Sequence, residues 1–235
     1  MYSDAFCKVY NEFGWNYFPR AFGEQLVEWI KVNGVKVEKS LDLACGTGIL
    51  CEVLWDAGIK SSGMDFSEGM IEIARNSRPE IEYDVADMIT YRPEKKFDLV
   101  TCTGDALNHI IDLENVRRIF ENVHYYLEKG GYFIFDILNE REVHPGEPID
   151  LDFSETVKAQ FTISRNEAGI INLNTTVYEN GVKQFEENIN ETVHDVDAVL
   201  RMLKETGFEV LKCSDQILDG ALEHSTTWYI IARKN

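Results

Sequence analysis

Three aspartates, Asp42, Asp65 and Asp87, stand about 23 and 22 residues apart, each at the end of a short apolar run, and His109 follows the next such run. A carboxylate can accept from two hydroxyls at once or sit beside an amine. A histidine can take a proton near neutral pH. Asp42 lies in the stretch LDLACGTGIL, residues 41–50, where Ala44, Gly46 and Gly48 leave little side chain. Small residues let a ligand approach the backbone and permit positive φ without a Cβ penalty. A dinucleotide loop, G-x-G-x-x-G, would need glycine where Cys51 stands, and an acid there would repel a pyrophosphate. The pattern favours a ligand carrying an amine over one carrying a phosphate.

These residues need a scaffold that brings strand ends together. Helical spacing of Phe22, Leu26, Val27, Trp29 and Ile30 predicts a helix over 21–32, stopped at Asn33-Gly34. Strands are predicted at 41–44, 62–65, 81–85, 97–101 and 132–138. Helices are predicted at 49–57, from the cap Ser67 to Arg75, and from the cap Asp112 until Gly130-Gly131. Alternation of strand and helix predicts a doubly wound, Rossmann-like α/β sheet of seven mostly parallel strands, ending in an antiparallel pair from FEVLKCSDQ and TTWYIIARK. Residues 147–193 instead alternate polar and apolar, with Asn180-Gly181 as a hairpin turn. They predict an inserted antiparallel meander of about three strands. The expected organisation is a core of residues 1–140 and 194–235 with a subdomain at 141–193.

The chain has 235 residues and a formal net charge of −18, spread along its length, which argues against a nucleic-acid substrate. No apolar run approaches the roughly 20 residues of a membrane helix, and the N-terminus lacks the pattern of a signal peptide, so no membrane association is expected. Five scattered cysteines, with no C-x-x-C and no histidine at ligand spacing, indicate neither a disulfide framework nor a zinc site. A reducing cytoplasm fits.

LDLACGTGIL resembles motif I of the class I S-adenosylmethionine-dependent methyltransferases, an acid followed by x-G-x-G-x-G, with Ala44 where that family more often has glycine. GMDFSEGM and DVADMITY resemble its second and third motifs, and the order of elements follows that family from about residue 9 onward. The resemblance implies a cofactor, S-adenosylmethionine, left as S-adenosylhomocysteine after transfer. It implies that Asp42 faces the methionine amino group and that Ala44, Gly46 and Gly48 wrap the methionine and ribose. Asp65 would accept from both ribose hydroxyls, Phe66 and Met70 would lie on the adenine side, Asp87 would accept from the adenine amine, and Met88 would cover the ring. Thr103 and Gly104 would border the methionine.

ALNHI resembles a loop of small-molecule N-methyltransferases, including those of amino-sugars, which implies His109 as a catalytic residue facing the acceptor. The aromatic run VYNEFGWNYFPR resembles a lid, with Tyr10 toward the acceptor and Tyr17 and Arg20 toward the cofactor carboxylate. The meander resembles a β extension that shapes the acceptor pocket or pairs with a second chain. Each residue also has a plain structural explanation: Asp65 as a turn acid, Asp87 as a helix cap, His109 as a satisfied helix-entry residue, the aromatic run as a surface-packed helix. The expected function is methyl transfer to a small-molecule acceptor, nitrogen before oxygen, without a metal, by a monomer or homodimer. The rivals are a non-catalytic S-adenosylmethionine-binding regulatory module and a nicotinamide-dependent oxidoreductase, the latter disfavoured by Asp42 and Cys51.

Overall fold

A computed structural model describes residues 2–139, 146–215 and 227–235. The expected boundary at residue 141 lies outside them. Short helix α1 (Asp4–Val9) and long helix α2 (Tyr17–Val32) lead into β1 (Lys39–Leu43), α3 (Ile49–Asp56), β2 (Lys60–Asp65), α4 (Glu68–Ser77), β3 (Glu82–Val85) and β4 (Phe97–Cys102). A 3-10 turn (Ala106–His109), α5 (Leu113–Tyr126) and β5 (Leu127–Leu138) follow. After β6 (Ile149–Asp152), β7 (Val157–Arg165), β8 (Ile171–Glu179) and β9 (Val182–Glu191), the chain closes with α6 (Val196–Glu205), β10 (Phe208–Ser214) and β11 (Thr227–Lys234).

The seven-stranded sheet has the order β10-β11-β5-β4-β1-β2-β3. Strands β3 to β5 in that order run parallel, and β11 is antiparallel to both of its neighbours. The carboxyl ends of β1 to β5 therefore share one edge. Strand order reverses between β1 and β4, which opens a crevice at that edge.

Helix α5 shows why the core elements form. Asp112 caps it by accepting from the Glu114 amide, and Val116, Ile119, Phe120, Val123 and Tyr126 are buried at helical spacing. Burying an apolar side chain of this size contributes about 1.5–3 kcal/mol, which outweighs the modest propensities of the polar face. Ser67 caps α4 by accepting from the Met70 amide, as its sequence position predicts. Gly130-Gly131, read as the stop of α5, lies inside β5 instead. Gly130 takes φ +77° where the β4 register slips between Phe97 and Leu99, so the pair makes a bulge rather than a loop.

The second sheet is antiparallel, in the order β6-β7-β8-β9, with four strands where about three were expected. Its β8–β9 turn places Asn180 at φ 51° and Gly181 at φ 76°, the pair of positive angles of a type I′ hairpin. Its apolar face (Val157, Ala159, Phe161, Val177, Phe185) packs onto Phe13 and Trp15, covering the chain between α1 and α2.

Candidate active site

Asp42 lies one residue before the end of β1, in register with Thr101 of β4, whose hydroxyl donates to its Oδ1 at 2.7 Å. Burial pushes its carboxyl up to about 7, Asp65 adds to the rise, and the Thr101 hydroxyl opposes it. The following loop takes left-handed geometry at Ala44 (φ 54°), Gly46 (φ 54°) and Gly48 (φ 80°). The Gly46 amide donates to Asp65 Oδ2 at 2.9 Å, and the Ser67 amide donates to Oδ1 at 2.8 Å. One carboxylate at the end of β2 thus holds the β1 loop and the start of α4 together.

The two glycines of this loop are small for different reasons. A Cβ on Gly46 would meet no heavy atom within 4 Å, which leaves space for a ligand. A Cβ on Gly48 would stand 2.5 Å from the Tyr83 hydroxyl and 3.0 Å from Ala74, so Gly48 is small for the packing of α3 against β3 and α4. This packing gives Gly48 a structural reason of its own beside the expected place of its backbone around the methionine and ribose.

Phe66, 55% exposed, stands open beside Asp65. Met70 does not: it is fully buried beneath α1, against Phe6 and Cys7, because α4 turns its apolar side toward that helix. Asp87 closes a turn by accepting from the Ile89 amide at 2.8 Å. Met88 and Ala44 are each half-buried at the margin of the main core.

The exit of β4 carries the other half of the site. Thr103 is half-buried, and Gly104 (φ 77°) and Asp105 (φ 58°) form a left-handed pair. Asp136 of β5 accepts from both of their amides, at 3.0 Å to Oδ2 and 2.9 Å to Oδ1. This pairing offsets the cost of a non-glycine residue at positive φ. Asn108, fully buried, donates to the Thr192 carbonyl at 2.7 Å and accepts from the Leu138 amide at 3.0 Å, while its own carbonyl accepts from the Thr192 amide at 2.8 Å. It locks the 3-10 turn to the ends of β5 and β9. That turn ends at His109, whose Nε2 lies 3.8 Å from Glu191 Oε1 of β9. Burial lowers the His109 pKa, and a hydrogen bond with the Asn190 backbone opposes the fall.

Over this edge lies the aromatic segment. Tyr10 is 6.2 Å, ring centre to ring centre, from Tyr2, and Tyr2 meets the His109 ring edge-on at 6.4 Å. Burial first, then Asp65 and Asp105, push the Tyr10 hydroxyl up to about 12, so Tyr10 stays neutral and faces both sides of the crevice. Ser3 fastens this segment by donating its amide (3.0 Å) and hydroxyl (2.5 Å) to Glu187 Oε2 of β9. Two of the expected residues lie in the open. Tyr17 is 82% exposed and Arg20 is also exposed, because α2 spends its buried face, Phe22, Leu26 and Ile30, on α3 and the sheet.

Sequence reasoning passed over Glu187, Glu191, Tyr2, Asn108 and Asp136. One signal was present: Phe185, Glu187, Ile189 and Glu191 alternate along β9, so two acids occupy inward positions of an otherwise apolar face. Among the described residues no group of three or more histidines, cysteines or acids could hold a metal ion, and no helix is long and apolar enough to cross a membrane.

Residues 41–131 match a family model described as a methyltransferase domain. The chain is 26% identical to YqeM of Bacillus subtilis, a protein named as a methyltransferase, over 93% of this chain and 91% of that one. Among solved structures it superposes on an S-adenosylmethionine-dependent methyltransferase of Clostridium acetobutylicum at TM-score 0.81 and 23% identity, covering 91% of each chain. It also superposes on CalS10 of Micromonospora echinaspora, an amino pentose methyltransferase solved with its cofactor bound, at TM-score 0.78 and 17% identity, covering 100% of this chain and 98% of that one.

Proposed function

For a chain that is an S-adenosylmethionine-dependent methyltransferase of class I fold, we propose that the acceptor is a nitrogen of a small molecule. The observation that carries this is His109 at the exit of β4, held neutral by its burial and set against a carboxylate. An amine at neutral pH is mostly protonated and must lose a proton before its lone pair can attack, and a neutral imidazole can receive that proton. The likeness to an amino pentose methyltransferase over the whole chain agrees with this reading. The small-molecule assignment rests also on the net charge of −18, which disfavours nucleic acid. We place the enzyme in the cytoplasm on the strength of its free cysteines.

In this reading the cofactor lies along the carboxyl edge, and it supplies the electrophilic methyl. Asp42 sets a negative charge toward the methionine amino group, Ala44 and Gly46 line the methionine and ribose, and Asp65 offers its remaining lone pairs to the ribose diol. Phe66 flanks the adenine, with Asp87 and Met88 beside it, and Thr103 borders the methionine. Tyr10 closes over the reacting atoms and excludes water, which strengthens every electrostatic contact within. Described residues 146–193 of the expected subdomain roof the acceptor side. Most of the acceleration comes from alignment of nitrogen, methyl and sulfur.

Incubation of the protein with isotopically labelled S-adenosylmethionine and a metabolite extract tests the acceptor. The expected outcome is a labelled N-methyl product and a drop of about a hundredfold or more in kcat for His109→Ala, the usual scale of lost proton transfer. S-adenosylhomocysteine should bind the variant unchanged by calorimetry. A product methylated only on oxygen or carbon would sink the nitrogen assignment.

A further inference from the structure

Glu191 of β9 faces the His109 ring and, among the described residues, has no structural occupation of its own. Its side chain is 9% exposed, on the inward face of β9, yet no described residue makes a hydrogen bond to its carboxylate. Its neighbour on the same face, Glu187, has a structural occupation in the Ser3 amide and hydroxyl. Glu191 has only His109 Nε2 at 3.8 Å, beyond hydrogen-bond reach. A buried carboxylate with no donor is costly unless a cation or donor arrives to meet it. Among the described residues, the groups that face it are His109 from the 3-10 turn, Asp105 from the β4 exit and Tyr2 from the segment above. They comprise one imidazole, one further acid and one phenol. None of them carries a fixed positive charge.

We propose that Glu191 is a specificity-determining carboxylate that receives the ammonium group of a cationic acceptor beside His109. The proposal rests on the nitrogen-acceptor reading and deepens it, since it makes the antiparallel sheet the source of substrate charge selection. In the reaction the ammonium bound beside Glu191 gives one proton to His109, yielding a neutral amine and an imidazolium. The amine lone pair then forms the N–C bond as the C–S bond breaks, and the C–S electron pair stays on sulfur. The Glu191 carboxylate takes the proton that the methylated ammonium must shed for a second round or for release as a neutral amine. Burial, and Asp105 beside it, push the Glu191 carboxyl up to about 7, so at neutral pH it can take up and release that proton.

The test uses the full chain loaded with S-adenosylhomocysteine and labelled at histidine Cε1, with the His109 signal assigned from His109→Asn. Methylammonium chloride and its neutral isostere methanol are each added to about 200 mM, with chloride held constant by potassium chloride. The expected result is a saturable shift of the His109 signal with methylammonium and none with methanol. Glu191→Gln, which keeps the shape and removes the charge, should weaken the methylammonium response at least about tenfold while S-adenosylhomocysteine binds as before. Glu191→Asp should restore part of the response. A missing response to methylammonium, an equal response to both probes, or a response that survives in Glu191→Gln overturns the proposal. The N-methyl product search reports separately on the underlying reading, because an O-methyl product alongside a Glu191-dependent ammonium response would remove the reading and leave the cation site standing.

Discussion

Asp65 and Asp136 do the same work at different strand ends, each accepting from two backbone amides and so fixing a loop whose conformation most residues avoid. Such bidentate carboxylates arrange the edge before any ligand arrives, which lowers the ordering cost of binding. The two loop glycines allow a direct comparison. Both Gly46→Ala and Gly48→Ala carry the left-handed backbone penalty of about 1–2 kcal/mol. Gly48→Ala adds a Cβ 2.5 Å from the Tyr83 hydroxyl, and overpacking of that kind costs about 1–3 kcal/mol more. Thermal melts should show the larger fall for Gly48→Ala, and calorimetry with S-adenosylhomocysteine the larger relative loss of affinity for Gly46→Ala. The reverse order in both measurements would assign the free space to the wrong glycine.

Among the elements, α1 differs from the rest in what stabilises it. Six residues are too few for an isolated helix, and it buries only Phe6 and Cys7. Its Ser3 cap accepts from the Phe6 amide while donating to Glu187, and its one aromatic ring, Phe6, packs tilted on Trp15 and meets Phe185 edge-on. This N-terminal segment is therefore held by β9, the strand that also presents Glu191. Ser3→Ala removes the cap and the hydroxyl donor to Glu187 but keeps the amide donor, and loss of a cap alone costs about 1 kcal/mol. Limited proteolysis of the first 16 residues should quicken severalfold, with little change in the melting temperature of the core. Unchanged proteolysis would mean that the aromatic stack alone holds this segment.

The whole molecule keeps several acids protonated more readily than they would be in the unfolded chain. Asp42 and Glu191 are pushed up to about 7 and Asp105 to about 6, each by burial first. A carboxyl raised above its unfolded value of about 4 contributes stability that is complete below pH 4 and is lost as pH rises through 6 to 7. His109 and His194 have lowered values and oppose this, favouring the fold above about pH 6.5. The acids titrate over the wider span, and the net charge of −18 adds repulsion at higher pH. The ligand-free protein should melt several degrees higher at pH 5.5 than at pH 8, and Asp42→Asn should flatten that difference. A melting temperature that climbs toward pH 8 would contradict the assignment of these carboxyls as buried acids.

The order of strands and helices, the Ser67 and Asp112 caps, the Asn180-Gly181 hairpin and the edge carrying Asp42 and Asp65 were legible in the sequence, because period, capping and turn chemistry act over a few residues. What surrounds each residue was not. Whether Tyr17 faces a ligand or water, whether Met70 reaches the edge or lies under α1, and whether Gly48 makes room or packs on Tyr83 depend on contacts between segments distant in the chain. The acceptor side was hidden for the same reason: Glu191 meets His109 only because Asn108 ties the β4 exit to the end of β9, across 84 residues of chain. The sequence by itself determined the sheet and the strand ends that carry Asp42 and Asp65, through local patterns. The tertiary structure alone decided which charges face one another across the crevice, because burial and electrostatics are set by distance in space.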